Sequence, residues 1–187
     1  MNRQKGFTLV EMVVVSSIVA ILLAIGVPSY TYVTNSYRIS NEVNGLLGDL
    51  QFARAEAIKE GQPVTLCVSN NSFTCNVGSL NWHQGWIVFS NPNGNTTVDA
   101  GEAVLRVQRA FVGRTAPDTF IPNQNVSTIT YNREGFATTA AGFPDTTFRL
   151  HDPTNTLTFT RCVWVTPVGL ARTETPVAPN NPSGACN

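Results

Sequence analysis

Three sets of residues in this chain have the types and spacing to do chemistry. The first runs through one polar loop. Asn91, Asn93, Asn95, Thr97, Asp99 and Glu102 are oxygen-bearing residues at alternate positions, ending in a carboxylate. That is the pattern of a twelve-residue calcium loop counted from Asn91. Against it, the sixth position is Thr96 rather than glycine, only Asp99 and Glu102 carry charge, and strand-like runs flank the loop. A hairpin loop closed by Asx turns is the simpler expectation, so no metal and no other cofactor is expected.

The second set is Cys67, Cys75, Cys162 and Cys186. Four cysteines allow three pairings. The economical one joins Cys67 to Cys75 across a hairpin and uses Cys162–Cys186 to pin the tail. Zinc would compete, but no C-x-x-C pair or paired histidine accompanies them. The third set is basic: Arg161, Arg172 and the trio Arg106, Arg109 and Arg114. Such residues bind a phosphate backbone only if several converge in space. Catalysis is not expected. His83 and His151 lie in different segments, and no nucleophile elbow, paired metal motif or phosphate loop is present. Twelve basic and twelve acidic side chains cancel, so no bulk attraction to nucleic acid or anionic lipid is implied.

One acid stands apart. Glu11 lies inside an apolar run, and no other charge occurs from Met12 to Tyr37. A carboxylate within a bilayer costs about 2.5–3.5 kcal/mol on insertion scales. The run itself, Phe7–Val10 continued by Met12–Val27, is long enough to cross a membrane as one helix. Arg3 and Lys5 before it favour a cytoplasmic N-terminus and an exported remainder. That places all four cysteines in an oxidising space, where disulfides form. A cleaved secretory signal is the rival reading, but "AIGVPSYTYV" is a poor small-residue cleavage pattern.

The stretch "GFTLVEM" after a short basic leader resembles the type IV prepilin signal. The resemblance implies that a prepilin peptidase cuts between Gly6 and Phe7, and that the new terminus at Phe7 is N-methylated. It also implies that Glu11 pairs with a terminal amine during subunit assembly. Opposite charges in an apolar layer attract strongly, and each is costly alone; the simpler alternative is that Glu11 sits at headgroup depth and stays wet. A second stretch, "NWHQGWIVFSNPNGNTTVDAGEAVLRVQRA" from Asn81 to Ala110, resembles the H-type pseudopilin group with its FimT and FimU minor pilins. The shared features are Gly85-Trp86, a polar loop, Asp99-x-Gly101-Glu102 and Leu105-Arg106. FimT-type relatives bind DNA through a glycine-arginine-x-arginine motif. The matching "GLAR" here keeps Arg172 but has Leu170 in place of the first arginine.

The elements follow the hydrophobic pattern. Pro28 should end or kink the spanning helix. Beyond it, Val43, Leu46, Leu47, Leu50, Ala53 and Ala57 recur every three or four residues, and Gly61 and Pro63 stop the helix. "VTLCVS", "GWIVFS", "AVLRVQRAF", "STITYN", "TFRLHD" and "TLTFTRCVWVT" read as strands between Asn, Gly, Pro and Asp turns. The tail "TPVAPNNPSGACN" reads as loop. The expected organisation is a leader at 1–6, a transmembrane and filament-core helix at 7–30, its amphipathic continuation at 31–60, and a periplasmic β-rich head at 61–187. The fold class is α+β, a long N-terminal transmembrane helix packed on an antiparallel-sheet head. Expected partners are other pilins or pseudopilins, the prepilin peptidase, the inner membrane and, as an alternative function, DNA. The resulting subunit would belong to a type IV pilus or a type II secretion pseudopilus.

Overall fold

The computed structural model describes residues 6–112, 116–139, 142, 145–177, 180–181 and 183–186. Two compact units are present, Met1–Arg38 and Ile39–Asn187. One helix, α1, runs from Leu9 to Glu60. It starts two residues later than the apolar run, because Gly6 to Thr8 are not helical. Pro28 lies inside it and does not end it. A proline removes one backbone amide donor, and here the helix tolerates the loss.

In the first unit no described helical residue is buried, and Leu9, Val10, Leu22 and Ile25 are all largely exposed. Apolar side chains occur all round this segment. Within the second unit the same helix becomes one-sided. Ile39, Val43, Leu46, Leu50, Ala53 and Ala57 are buried, while Asn41, Asn44, Gln51 and Ala55 are exposed. Spacings of three and four put the buried set on one stripe.

The head holds two antiparallel sheets. In the first, β3 (Val104–Arg109), β2 (Gly85–Ser90), β1 (Val64–Val68), β5 (Thr128–Tyr131) and β6 (Ala137–Thr138) lie in that order. In the second the order is β4 (Thr119–Pro122), β7 (Thr146–His151), β8 (Arg161–Val165) and β9 (Ala171–Glu174). Inward residues of both sheets join the helix stripe in one core: Val64, Leu66 and Val68 of β1, Phe148 and Leu150 of β7, Val163 and Val165 of β8. Trp82, Trp86, Phe111, Phe120 and Phe148 fill its centre with tilted and edge-to-face pairs. The Trp82 indole donates to the Val126 carbonyl at 2.9 Å, which satisfies its buried N–H.

Sequence periodicity missed three strands and over-extended one. β4, the two-residue β6 and β9 are too short to give a pattern, and β9 (ARTE) is polar. Leu157–Phe159 is a 3₁₀ turn, so β8 starts only at Arg161. The disulfides are Cys67–Cys75 and Cys162–Cys186, and no described cysteine is free.

Two glycines are fixed by close backbone approach. Gly85, at φ +108°, brings its α-carbon so near β3 that an added Cβ would lie 2.5 Å from the Gln108 carbonyl. Gly169, at φ +79°, would put a Cβ 1.9 Å from the carbonyl oxygen of Gly135. The turns that precede β6 and β9 therefore touch backbone to backbone.

Gly169→Ala should cost at least about 2 kcal/mol, from the left-handed backbone and the clash together. Gly94→Ala has a similar φ but open space around it, so it should cost only the backbone share, about 1–2 kcal/mol. Urea unfolding of the detergent-solubilised chain measures both. The disulfides rank by loop length, with sequence separations of 24 and 8. Removing Cys162–Cys186 should cost about 3–4 kcal/mol and removing Cys67–Cys75 about 2.5 kcal/mol in the chain-entropy account.

Candidate functional site

At the N-terminus the structure gives the Gly6–Phe7 bond a local context. Thr8 precedes the first helical residue and acts as its N-cap. The Glu11 amide donates to Thr8 Oγ1 at 3.2 Å, and the Met12 amide donates to the Thr8 carbonyl at 3.2 Å. Threonine followed three residues later by glutamate is the capping-box pattern. Glu11 thus sits in the first helical turn, where the helix dipole favours a negative charge. Gly6 and Phe7 lie before the cap in exposed, non-helical backbone. Peptidases bind extended segments far more readily than helices, whose amides are already paired.

The 91–102 loop closes on itself. Asn93 Nδ2 and Asn95 Nδ2 each donate to Asp99 Oδ2 at 2.7 Å, and the Thr97 hydroxyl donates to Asp99 Oδ1 at 3.3 Å. The Asn93 and Asn95 side chains cap the amides two residues on, as Asx turns do. The two amide bonds hold the Asp99 carboxyl below the usual carboxylate range. Glu102 accepts from the Asp99 amide at 2.9 Å rather than pointing at a shared centre. Asn91 is buried and donates to Thr65 Oγ1 on β1 and to the Asn95 carbonyl, both at 2.7 Å. Val98 packs on a second small core of Cys67, Ile87 and Phe89. The loop is therefore a cover over the outer face of the first sheet. No cluster of three or more metal-binding His, Cys, Asp or Glu side chains occurs among the described residues.

The basic residues separate into different places. Arg106 Nη1 pairs with Asp49 Oδ1 at 3.0 Å, and its guanidinium lies 3.9 Å over the Phe52 ring. Asp49 Oδ2 also accepts the Trp86 indole N–H at 2.8 Å. This carboxylate joins α1 to β2 and β3, and no sequence signal marks a contact between residues 57 positions apart. Arg109 is exposed on β3. Arg114 lies outside the described residues, as do Arg3 and Lys5.

Arg161 and Arg172 lie on opposite faces of the β8–β9 pair, Arg161 across from the core residue Leu150 and Arg172 across from Trp164. Both line one cavity of about 530 Å³ in the head, with Ser40, Val43 and Asn44 of α1 on one side and residues 173–175 and Asn180 on the other. The Arg172 guanidinium stacks 4.1 Å over the Trp164 ring, and its Nε lies 3.8 Å from Glu174 Oε1. Glu174 is buried and accepts from the Ser183 amide at 3.2 Å and the Ser183 hydroxyl at 2.5 Å. Sequence reading missed Glu174 and Ser183, since a buried acid on a four-residue edge strand looks like an ordinary surface residue. His83 Nδ1 accepts the Phe120 amide at 3.4 Å, and burial lowers its pKa from the ordinary value.

Comparison with known proteins bears on the family and the fold. A family model described as "Type II transport protein GspH" matches residues 42–169, and one described as "Prokaryotic N-terminal methylation motif" matches residues 1–27. The chain is 37% identical over 79 residues to a type IV major alpha-pilin of Moraxella bovis, which is 42% of this chain and 48% of that protein. It is 38% identical over 64 residues to a fimbrial protein of Pseudomonas aeruginosa, 34% of this chain and 41% of that one. The chain thus spans less than half the length of these curated relatives. Two crystal forms of the Pseudomonas aeruginosa type IV minor pilin FimU are similar in structure, with TM-scores of 0.51 and 0.55 at 19% and 20% identity. They cover 80% and 84% of this chain and 94% and 96% of FimU. At that identity the likeness is one of fold, a long N-terminal helix with an antiparallel-sheet head. With more than half of its residues matched, the chain belongs to the GspH family of type IV pilin-like structural subunits, which are not enzymes.

Proposed function

We propose that this chain is made as a membrane-inserted prepilin, processed between Gly6 and Phe7, N-methylated at Phe7, and built as a minor structural subunit into a pilus or pseudopilus. One observation carries the reading: a helix with no buried residue between Leu9 and Tyr30 starts directly after an exposed, non-helical Gly6–Thr8 segment. An apolar surface of that size in water would be costly at about 25 cal/mol per Å², so it needs lipid or neighbouring helices. Hydrolysis of the Gly6–Phe7 amide leaves a carboxylate on the leader and an ammonium group on Phe7. That ammonium is the natural counter-charge for Glu11, four residues on. In this reading the inner membrane holds the chain first, and other pilins or pseudopilins hold it after assembly. The GspH description favours a secretion pseudopilus and the FimU likeness favours a pilus, so the two machines stand as one proposal.

Nucleic-acid binding is the second reading, favoured only by the presence of Arg161 and Arg172 along one cavity, from opposite faces of the β8–β9 pair. Affinity for a phosphate backbone rests on several cations, and Arg106 is already occupied by Asp49.

Intact mass of the membrane-extracted protein should lack Met1–Gly6 and carry one added methyl group; a retained leader would contradict the assignment. Glu11→Ala should insert and be cleaved, because removing a charge eases insertion, yet enter filaments poorly. Normal incorporation of that variant would refute the pairing role. For DNA, Leu170→Arg should produce a salt-sensitive gel shift if the second reading holds. No shift at low salt would remove it.

A further inference from the structure

We propose that the surface where α1 meets the turns at 132–136 and 166–170 is a docking site for a second polypeptide, of different sequence, that presents a carboxylate beside an apolar side chain. The carboxylate meets Arg54, and the apolar side chain fills the adjoining cavity. This goes beyond the filament reading and does not depend on it.

Arg54 is the first observation. Its Nε is buried with no partner, and no acid among the described residues pairs with it. Its neighbours three and four positions away on the helix, Leu50, Gln51, Ala57 and Ile58, carry no charge. Two turns close over the same atom: a Cβ added at Gly135 would lie 3.1 Å from Nε, and one at Gly169 would lie 3.2 Å from it. The Tyr131 hydroxyl is also buried without a partner. Burial raises the pKa of that phenol, and the Arg54 charge pulls it the other way, so the guanidinium stands beside water-poor surroundings. A cation that loses hydration and gains no partner is costly. A carboxylate is the group that matches a guanidinium in a two-point contact.

The apolar surface around it is the second. Phe136, Pro167 and Val168, with Asn132, line a cavity of about 400 Å³, within the usual range of binding clefts, roughly 300–1,000 Å³. Phe136 adjoins Gly135 and Val168 adjoins Gly169, the two glycines that touch Arg54. Ile58 extends the patch along α1, since its Cδ1 would lie 2.9 Å from a Cβ on Gly135. Ile58, Phe136, Val168 and Leu170 are between 44% and 58% exposed. Aromatic and apolar side chains set around an arginine are the composition of interface centres.

The acids of the head point to a partner of different sequence. Glu56 and Glu60 hold Lys59, and Asp49 holds Arg106. Glu134, in the same turn as Gly135, is spent on Arg133 at 2.7 Å. Asp145 accepts the Trp164 indole N–H, and Asp99 and Glu102 close their own loop. Asp118, Asp152 and Glu174 are buried, and Glu42 is also partnered. A second copy of this head would have to give up one of these contacts or bare a buried acid to reach Arg54. A partner with a free acid gives up nothing.

The test uses the full chain in detergent micelles and three fluorescein-labelled, end-capped peptides: one of alternating Leu and Glu, one with Gln for Glu, and one with Ser for Leu. Fluorescence anisotropy, corrected for empty micelles, should show the Leu/Glu peptide binding about tenfold or more tightly than either of the others. Arg54→Gln and Val168→Ser should each weaken it about tenfold, and Arg109→Gln on β3 should leave it unchanged. On the unsubstituted chain, phenylglyoxal should modify Arg54, read by peptide mass mapping, and the Leu/Glu peptide should protect it. That readout stands even if a variant fails to fold. Equal binding of the Leu/Glu and Leu/Gln peptides, no binding, binding indifferent to Arg54→Gln, or no protection of Arg54 would overturn the proposal. Concentration-dependent self-association in sedimentation, lost in Arg54→Gln, would overturn it in favour of a second copy of this chain.

Discussion

Burial of one stripe of α1 against both sheets is the contact on which the head depends. Ile39, Val43, Leu46, Leu50, Ala53 and Ala57 share a core with β1, β2, β5, β7 and β8. Each large apolar side chain in such a core contributes about 1.5–3 kcal/mol. Neither sheet has to close on itself, because the helix covers what each would expose. Asp49 adds direction to this non-directional contact. By accepting from both the Trp86 indole and Arg106, it sets the rotation of the helix against β2 and β3. A slip of one residue would leave the buried Trp86 indole N–H unpaired, which costs about 1–3 kcal/mol.

The rest of the head is a series of covers over what that core leaves open. β1 is buried on both faces, so its outer face needs protection too. The 91–102 loop supplies it through Val98 and the Asn91–Thr65 hydrogen bond. The polar residues that look like a calcium loop spend their hydrogen-bonding capacity on Asp99 and on one another. At the other sheet the tail is pinned by Cys162–Cys186, and the Asn181 side chain also clamps it by bonding the Cys186 backbone at both ends. Gly169, which in sequence reads as part of a basic motif, is required by backbone contact with Gly135. Its presence therefore says nothing about DNA.

Much of this was legible in the sequence, for physical reasons that can be named. The helix stripe shows because every third or fourth residue must be apolar to reach the core. The strands β1, β2, β5 and β7 show because β-branched and aromatic residues cluster between turn formers. Glu11 is visible as a charge in an apolar run, which calls either for a partner or for a wet position at headgroup depth. What stayed hidden depends on distance along the chain. Arg106 and Asp49, Glu174 and Ser183, and Gly135 and Gly169 meet only after the sheets form. Short edge strands such as β9 carry no period, because two or three alternations are indistinguishable from a loop. Of the two outcomes Pro28 allowed, an end and a kink, the end does not occur, since a helix with long flanking turns on both sides can carry one missing amide bond.

The central claim is that α1 changes its surroundings along its length, apolar contact on every side first and one-sided packing from Ile39 onward. Single cysteine substitutions from Met12 to Ile58, probed in membrane vesicles with an impermeant thiol reagent, test it directly, because the native cysteines are paired. Positions 12–27 should be unreactive whichever way they face. From 39 onward reactivity should follow the helix period, with Asn41, Asn44, Gln51 and Ala55 labelled and Ile39, Val43, Leu46 and Leu50 protected. A three-to-four-residue period running through Met12–Val27, with one face labelled, would contradict the account.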